Sequence, residues 1–196
     1  MNSLNFDEQL DSVPDEVIAD FKVENFDECF EACAKILSQN PTNKIALIYS
    51  GIISQKRDHD DLAVKYFDIV TESMPNFPHI WEYKGHSLLK IKEYDLAKEA
   101  FMRSLDLNKS NAASWCFLAL SVYLKGGEES KEAAYYVLDH VHDMVKDKSA
   151  LSLAKGILEE YDGRPEDALV SYMQSQILAS AEEKSVTAER IYNLLS

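Results

Sequence analysis

PHIWEYKGHSLLKIKEYDLAKEAFMRSLDLNKSN, residues 78–111, reads as two amphipathic helices running antiparallel with a short turn between them. Trp81, Gly85 and Leu88 fall on the first helix, and Tyr94, Ala97 and Phe101 on the second. Large residues of one helix are thereby set against small residues of the other. The small residue of the first helix recurs as Gly51, Gly85, Ala119 and Gly156, at steps of 34, 34 and 37. That of the second recurs as Cys29, Ala63, Ala97, Ala134 and Ala168, at steps of 34, 34, 37 and 34. A bulky series, Cys33, Phe67, Phe101, Leu138 and Tyr172, keeps the same steps. Both small-residue rulers put three extra residues between Ala119 and Ala134, where KGGEES (residues 125–130) is the loop-like stretch. A lengthened turn is predicted there, and the pair Gly126 and Gly127 makes it the turn most tolerant of change.

This period, with its small and bulky positions, resembles the tetratricopeptide repeat. The resemblance implies an all-α, right-handed superhelix of about five helix-turn-helix repeats with a C-terminal capping helix. The boundaries expected are an N-terminal arm over 1–9, repeats over 10–43, 44–77, 78–111, 112–148 and 149–182, and a capping helix over 183–196. In that last segment Ala188, Ile191, Tyr192 and Leu195 share one helical face. Repeat one is the least regular, with Val17 where glycine or alanine is usual and Asp20 where an aromatic is usual. Ser12 with Asp15 resembles a capping box, and Pro14 suits a first helical turn. Pro75 is placed to end a helix, Pro165 to open one, and the Asn and Ser residues of DLNKSNAAS to cap one.

The chain has 196 residues, 46% of them apolar, which suffices for an ordinary core. Its formal charge of −14 argues against nucleic acid as a partner, because that affinity rests on Lys and Arg neutralising phosphates. Three cysteines, an odd number without a secretory signature, argue against a disulfide framework and for a reducing compartment. Cys29 and Cys33 are predicted core residues. The opening MNSLNFDEQL lacks the basic and apolar segments of a signal peptide, and no apolar run approaches membrane-spanning length. A cytoplasmic or nuclear location without membrane insertion is therefore expected. No glycine-rich phosphate loop, nucleophile elbow, zinc-spaced cysteine pair or HExxH run appears, so neither an enzyme nor a bound cofactor is expected.

In the family resembled, partners bind the concave surface, which set positions of each first helix line. Here those positions are Ile45, Ile48, Tyr49 and Ile52 in repeat two, and His79, Glu82, Tyr83, His86 and Leu89 in repeat three. They continue as Cys116, Phe117, Leu120 and Tyr123 in repeat four, and as Leu153, Ile157, Glu160 and Tyr161 in repeat five. Partly exposed, so long an apolar strip needs a cover, and the expected one is an amphipathic helix or apolar segment of a partner protein. A plainer reading packs Tyr49, Tyr83 and Phe117 between successive helices and leaves Ile48, Ile52 and Leu120 facing the groove.

The protein is thus expected to be a non-catalytic scaffold or adaptor. The alternative implied by the resemblance is a homodimerising subunit of a large assembly, as in the cell-cycle ubiquitin ligase, with Leu4, Phe6 and Leu10 of the arm reaching into its own groove or that of a second copy. Chaperone adaptors of the family hold acidic tails with Lys, Asn and Arg on these faces. Pro14, Ile18, Ile48, Ile52, Glu82 and His86 stand there instead, which disfavours that role. His79, Glu82 and His86, three and four apart, share a helix face but lack the further ligands of a metal site. Cys116 is read as a small apolar residue of the groove.

Overall fold

Short polar connectors punctuate the chain, and the helices between them pair. The computed structural model describes residues 13–179, which form ten helices and no strand. The first hairpin joins α1 (Asp15–Lys22) to α2 (Phe26–Gln39), and the second joins α3 (Lys44–Lys56) to α4 (Asp60–Ser73). The third is α5 (Pro78–Lys90) with α6 (Tyr94–Leu107), and the fourth α7 (Ala112–Lys125) with α8 (Glu128–His140). The fifth is α9 (Lys148–Tyr161) with α10 (Pro165–Leu178). Each helix packs on the next, and α3, α5, α7 and α9 also touch in succession, so the hairpins stack into an array. Residues 1–12 and 180–196 lie outside the described residues, and with them the expected arm, Ser12 of the capping box and the capping helix.

Local chemistry sets the helix starts. Asn43, Asn111 and Asp147 accept hydrogen bonds from the backbone N–H groups of Ala46, Ser114 and Ala150 at 2.9, 3.2 and 3.1 Å, each satisfying a donor that the first turn leaves without an intrahelical acceptor. Pro78 and Pro165 occupy first-turn positions, where a missing N–H costs nothing. Pro14 stands just outside α1, at its N-cap. Four of the five turns close alike. The N–H groups of Asn25, His59, Glu93 and Arg164 donate to the carbonyls of Asp20, Ser54, Leu88 and Glu159, all at 2.9 Å. The residue before each donor, Glu24, Asp58, Lys92 or Gly163, has φ between 56° and 70°, the left-handed conformation that ends many helices.

The small and bulky series meet as their spacing requires. A Cβ built on Gly85 would lie 2.7 Å from the ring of Phe101, one on Gly51 2.6 Å from Phe67, and one on Gly156 2.6 Å from Tyr172. Phe67 and Phe101 are fully buried, as are Cys29 and Cys33. The core follows the array as three apolar clusters, and the largest joins the third, fourth and fifth hairpins. No helix among the described residues is long and apolar enough to cross a membrane.

The fourth hairpin departs from expectation. Its three extra residues do not lengthen the turn, which consists of Gly126 and Gly127 alone, whereas residues 23–25, 57–59, 91–93 and 162–164 form the others. Helix α8 instead starts at Glu128, well ahead of Ala134, while α6 starts at Tyr94, close to Ala97. The helix takes up the insertion because Glu128 and Glu129 favour its positively polarised first turn. Nor is this turn the tolerant one. Gly126 has φ 89° and ψ 167°, and Gly127 φ 93° and ψ 149°, a region open essentially to glycine alone.

Candidate functional site

Successive first helices of the array approach so closely that most positions assigned to the groove become core. The expected partial exposure fails at ten of them: Ile48, Ile52, Glu82, His86, Leu89, Cys116, Phe117, Leu120, Tyr123 and Ile157 are all buried. Ile48 and Leu120, the pair expected to face a partner, are 1% and 0% exposed. They belong to the apolar clusters that join neighbouring hairpins. Ile45, Tyr49, Tyr83 and Leu153 are half-buried, and His79, Glu160 and Tyr161 are exposed.

The aromatic residues among them bridge hairpins. Tyr49 stacks on Phe21 with centroids 4.5 Å apart, Tyr83 on Phe67 at 5.9 Å, and Phe117 on Phe101 at 5.5 Å. Burial pushes the Cys116 thiol well above its ordinary pKa, as suits a core residue.

The polar residues of the third hairpin also serve the stacking. Glu82 accepts a 2.8 Å hydrogen bond from the Asn111 side chain, whose own oxygen caps α7. Its two carboxylate oxygens lie 3.8 Å from His79 Nδ1 and His86 Nε2. His86 is held edge-on against Phe117, 3.9 Å between centroids. Among the described residues no group of three or more His, Cys, Asp or Glu side chains is placed to hold a metal ion.

Two of the seventeen groove residues, Leu89 and Tyr161, do line one cleft, with residues the groove pattern did not include. The cleft has a volume of about 500 Å³. Asp58, Asp60 and Asp61 form one wall, from the turn of the second hairpin and the start of its α4; Lys90, Ile91, Lys92 and Tyr94 come from the turn of the third and the helix ends beside it. Leu124 of α7 and Tyr161 of α9 complete it, so four successive hairpins contribute.

Charge and burial differ along this lining. Lys90 donates to Asp58 at 2.8 Å, and that hydrogen bond, with the lysine's charge, holds the Asp58 carboxyl below its ordinary pKa. Asp60 is buried, and loss of water raises its pKa against the opposing hydrogen bond from Ser87. Ile91 is 37% and Tyr161 53% exposed, enough to contact a bound chain. An apolar floor with charged groups at its rim can anchor side chains of a peptide and fix its register. The lining has no nucleophile beside a base. Sequence reasoning missed Asp58, Lys92 and Ile91 because it searched the helices, although the polar turn RDHDD (residues 57–61) was a signal.

No protein-family model matches the chain. The TPR repeat-containing protein MJ1428 of Methanocaldococcus jannaschii is 27% identical over 111 residues, covering 57% of this chain and 19% of that protein. The chain thus spans about a fifth of the length of this relative. Among solved structures, MamA from Desulfovibrio magneticus RS-1 superposes with a TM-score of 0.70 at 18% identity, over 84% of this chain and 91% of that one. Another MamA crystal structure gives 0.69 at 17%, over 85% and 96%. YrrB, described as a TPR protein with an unusual peptide-binding site, gives 0.66 at 13%, over 91% and 89%. These likenesses identify the superhelical, all-α repeat fold.

Proposed function

We propose that this chain, whose fold is that of the tetratricopeptide repeat proteins it resembles, is a non-catalytic interaction scaffold that holds a segment of a partner protein in the cleft lined by its second to fifth hairpins. The observation that carries this reading is the composition of that cleft. Four hairpins far apart in sequence supply one continuous lining, with exposed Ile91 and Tyr161 beside the Asp58–Lys90 pair and Asp61. A lining shared between repeats suits a chain-like ligand that runs along the array, and the peptide-binding site named for YrrB lends support by analogy of fold. The apolar part would anchor an amphipathic helix or apolar segment, and the charged rim would set its register.

Peptides selected from a displayed library against the purified chain test this. Their affinity should fall at least tenfold in Ile91→Asp and in Tyr161→Ala, and stay unchanged in Leu107→Ser, an exposed position away from the cleft. Equal affinity in all three folded variants would end the reading. Ile48→Asp and Leu120→Asp are unsuitable probes, since both side chains are core and a charge there unfolds the hairpin.

A further inference from the structure

In each of the first three hairpins the second residue of the second helix is an aspartate: Asp27, Asp61 and Asp95, at steps of 34. A carboxylate suits that first turn on its own account. Two of the three also tie their hairpin to the next. Asp27 pairs with Arg57, and Asp95 with Lys125 at 2.6 Å, the cation in each case standing where the following first helix ends. The residue that keeps step between Arg57 and Lys125 is Ile91. The second and third hairpins are tied instead by Lys90 with Asp58, at 2.8 Å. Asp61 is thereby left exposed and in no ion pair among the described residues, and both it and Ile91 line the cleft.

Charge there favours one kind of ligand. With Asp58 and Lys90 satisfied by each other, the lining's remaining charged groups are two carboxylates, Asp60 and Asp61, and one ammonium, Lys92. Asp60 is 6% exposed, and loss of water with Asp61 beside it disfavours its charge, which an incoming cation would stabilise. The whole chain carries 34 acidic against 20 basic residues, a field that draws in cationic partners. On the reading that the cleft holds a partner segment, we propose that the segment is basic. A Lys or Arg side chain of the partner takes the place beside Asp61 that Arg57 and Lys125 take beside Asp27 and Asp95, while an adjoining apolar residue rests on Ile91 and Tyr161. The missing tie thus becomes the point that fixes the partner's register.

The test uses peptides selected from a displayed library against the full chain. Binders should carry Lys or Arg beside their apolar residues and lose about tenfold in affinity in Asp61→Asn, with a smaller loss at high salt. Asp95→Asn, the same position one hairpin on and outside the cleft lining, should leave affinity unchanged. Asp61→Lys should weaken binding further, and changing the peptide's basic residue to Glu should recover it in that variant alone. Binders that weaken in Tyr161→Ala yet are indifferent to Asp61→Asn would overturn this inference and leave the scaffold reading standing. Acidic binders that depend on Lys92 would overturn it in the same way. Binders unaffected by Tyr161→Ala, Ile91→Asp and Asp61→Asn alike, or a library that yields none, would end both readings.

Discussion

In the third hairpin α6 runs from Phe101 on to Leu107 and lies along α7; in the fourth, α8 stops at His140, just past Leu138, and packs only lightly on α9. Residues 141–147 then cross to α9, with Val141 and Val145 buried on the way. Where helix overlap is lost, polar groups join the hairpins. Asp162, in the turn after α9, accepts hydrogen bonds from Tyr123 at 2.7 Å and Tyr135 at 2.9 Å, and Lys131 lies 3.2 Å away. Arg164 donates to the Tyr135 hydroxyl at 2.7 Å. One apolar cluster runs through both junctions, and the second adds a carboxylate clasp to it, so the two should respond differently to pH.

Core truncation should separate them most. Phe101→Ala should destabilise the chain by about 3–5 kcal/mol, because a fully buried ring is lost between two hairpins. Leu138→Ala, at the matching position of the fourth hairpin, should cost about 2–4 kcal/mol. Thermal unfolding of both variants checks the order, and a larger loss at Leu138 would break the comparison.

Next comes the fit of small against bulky. Gly85→Ala should cost about 1–3 kcal/mol, since the new methyl meets the Phe101 ring at 2.7 Å. The fourth hairpin already carries the relaxed pair, Ala119 with Leu138. Gly85→Ala should therefore be close to neutral in a Phe101→Leu background, and a double-mutant cycle measures the coupling. Additive costs would show that the two positions do not press on each other.

The clasp comes third. Asp162→Asn should cost about 1–2 kcal/mol, by weakening the acceptor of two part-buried hydrogen bonds. Burial works against ionisation of Asp162, but the hydrogen bonds from Tyr123, Tyr135 and Lys131, with the Lys131 charge, outweigh it and hold its pKa below the ordinary aspartate value. Its contribution is therefore fully present above the unfolded-state pKa of about 3.9 and is lost as pH falls through the lower folded-state value. Denaturant unfolding from pH 6 to pH 3 should show the gap between wild type and Asp162→Asn closing on the acid side. Burial, helped by the Asp162 hydrogen bond, pushes the Tyr135 phenol up to about 12, so the clasp should hold through mildly basic pH.

The smallest effect belongs to the surface. Lys125 and Asp95 pair at 2.6 Å between the third and fourth hairpins, but both side chains are more than half exposed. Lys125→Ala should change stability by no more than about 1 kcal/mol, and less at high salt.

The architecture was legible because it is written twice over. Gly85 with Phe101 and Gly51 with Phe67 are local pairs, and their recurrence at 34 residues fixes how hairpins are built whatever lies beside them. The site was far less legible. Whether Ile48 or Leu120 faces solvent depends on how closely the next first helix approaches, and a one-dimensional pattern does not carry that distance. Asp58 and Lys92 were hidden for the opposite reason: they stand in turns, outside helical periodicity, yet their left-handed backbone aims the polar turns into the cleft. The insertion was detectable to the residue between Ala119 and Ala134, but its placement followed the glycines, when Glu128 and Glu129 were the stronger signal for helix.

Hydrogen exchange of the chain with and without a selected peptide tests the scaffold reading most directly. Bound peptide should slow exchange in residues 58–61, 89–94 and 124 and at Tyr161, the four stretches that line the cleft. Slowing confined to the outer faces of α4, α6 and α8, with those four stretches unchanged, would contradict it.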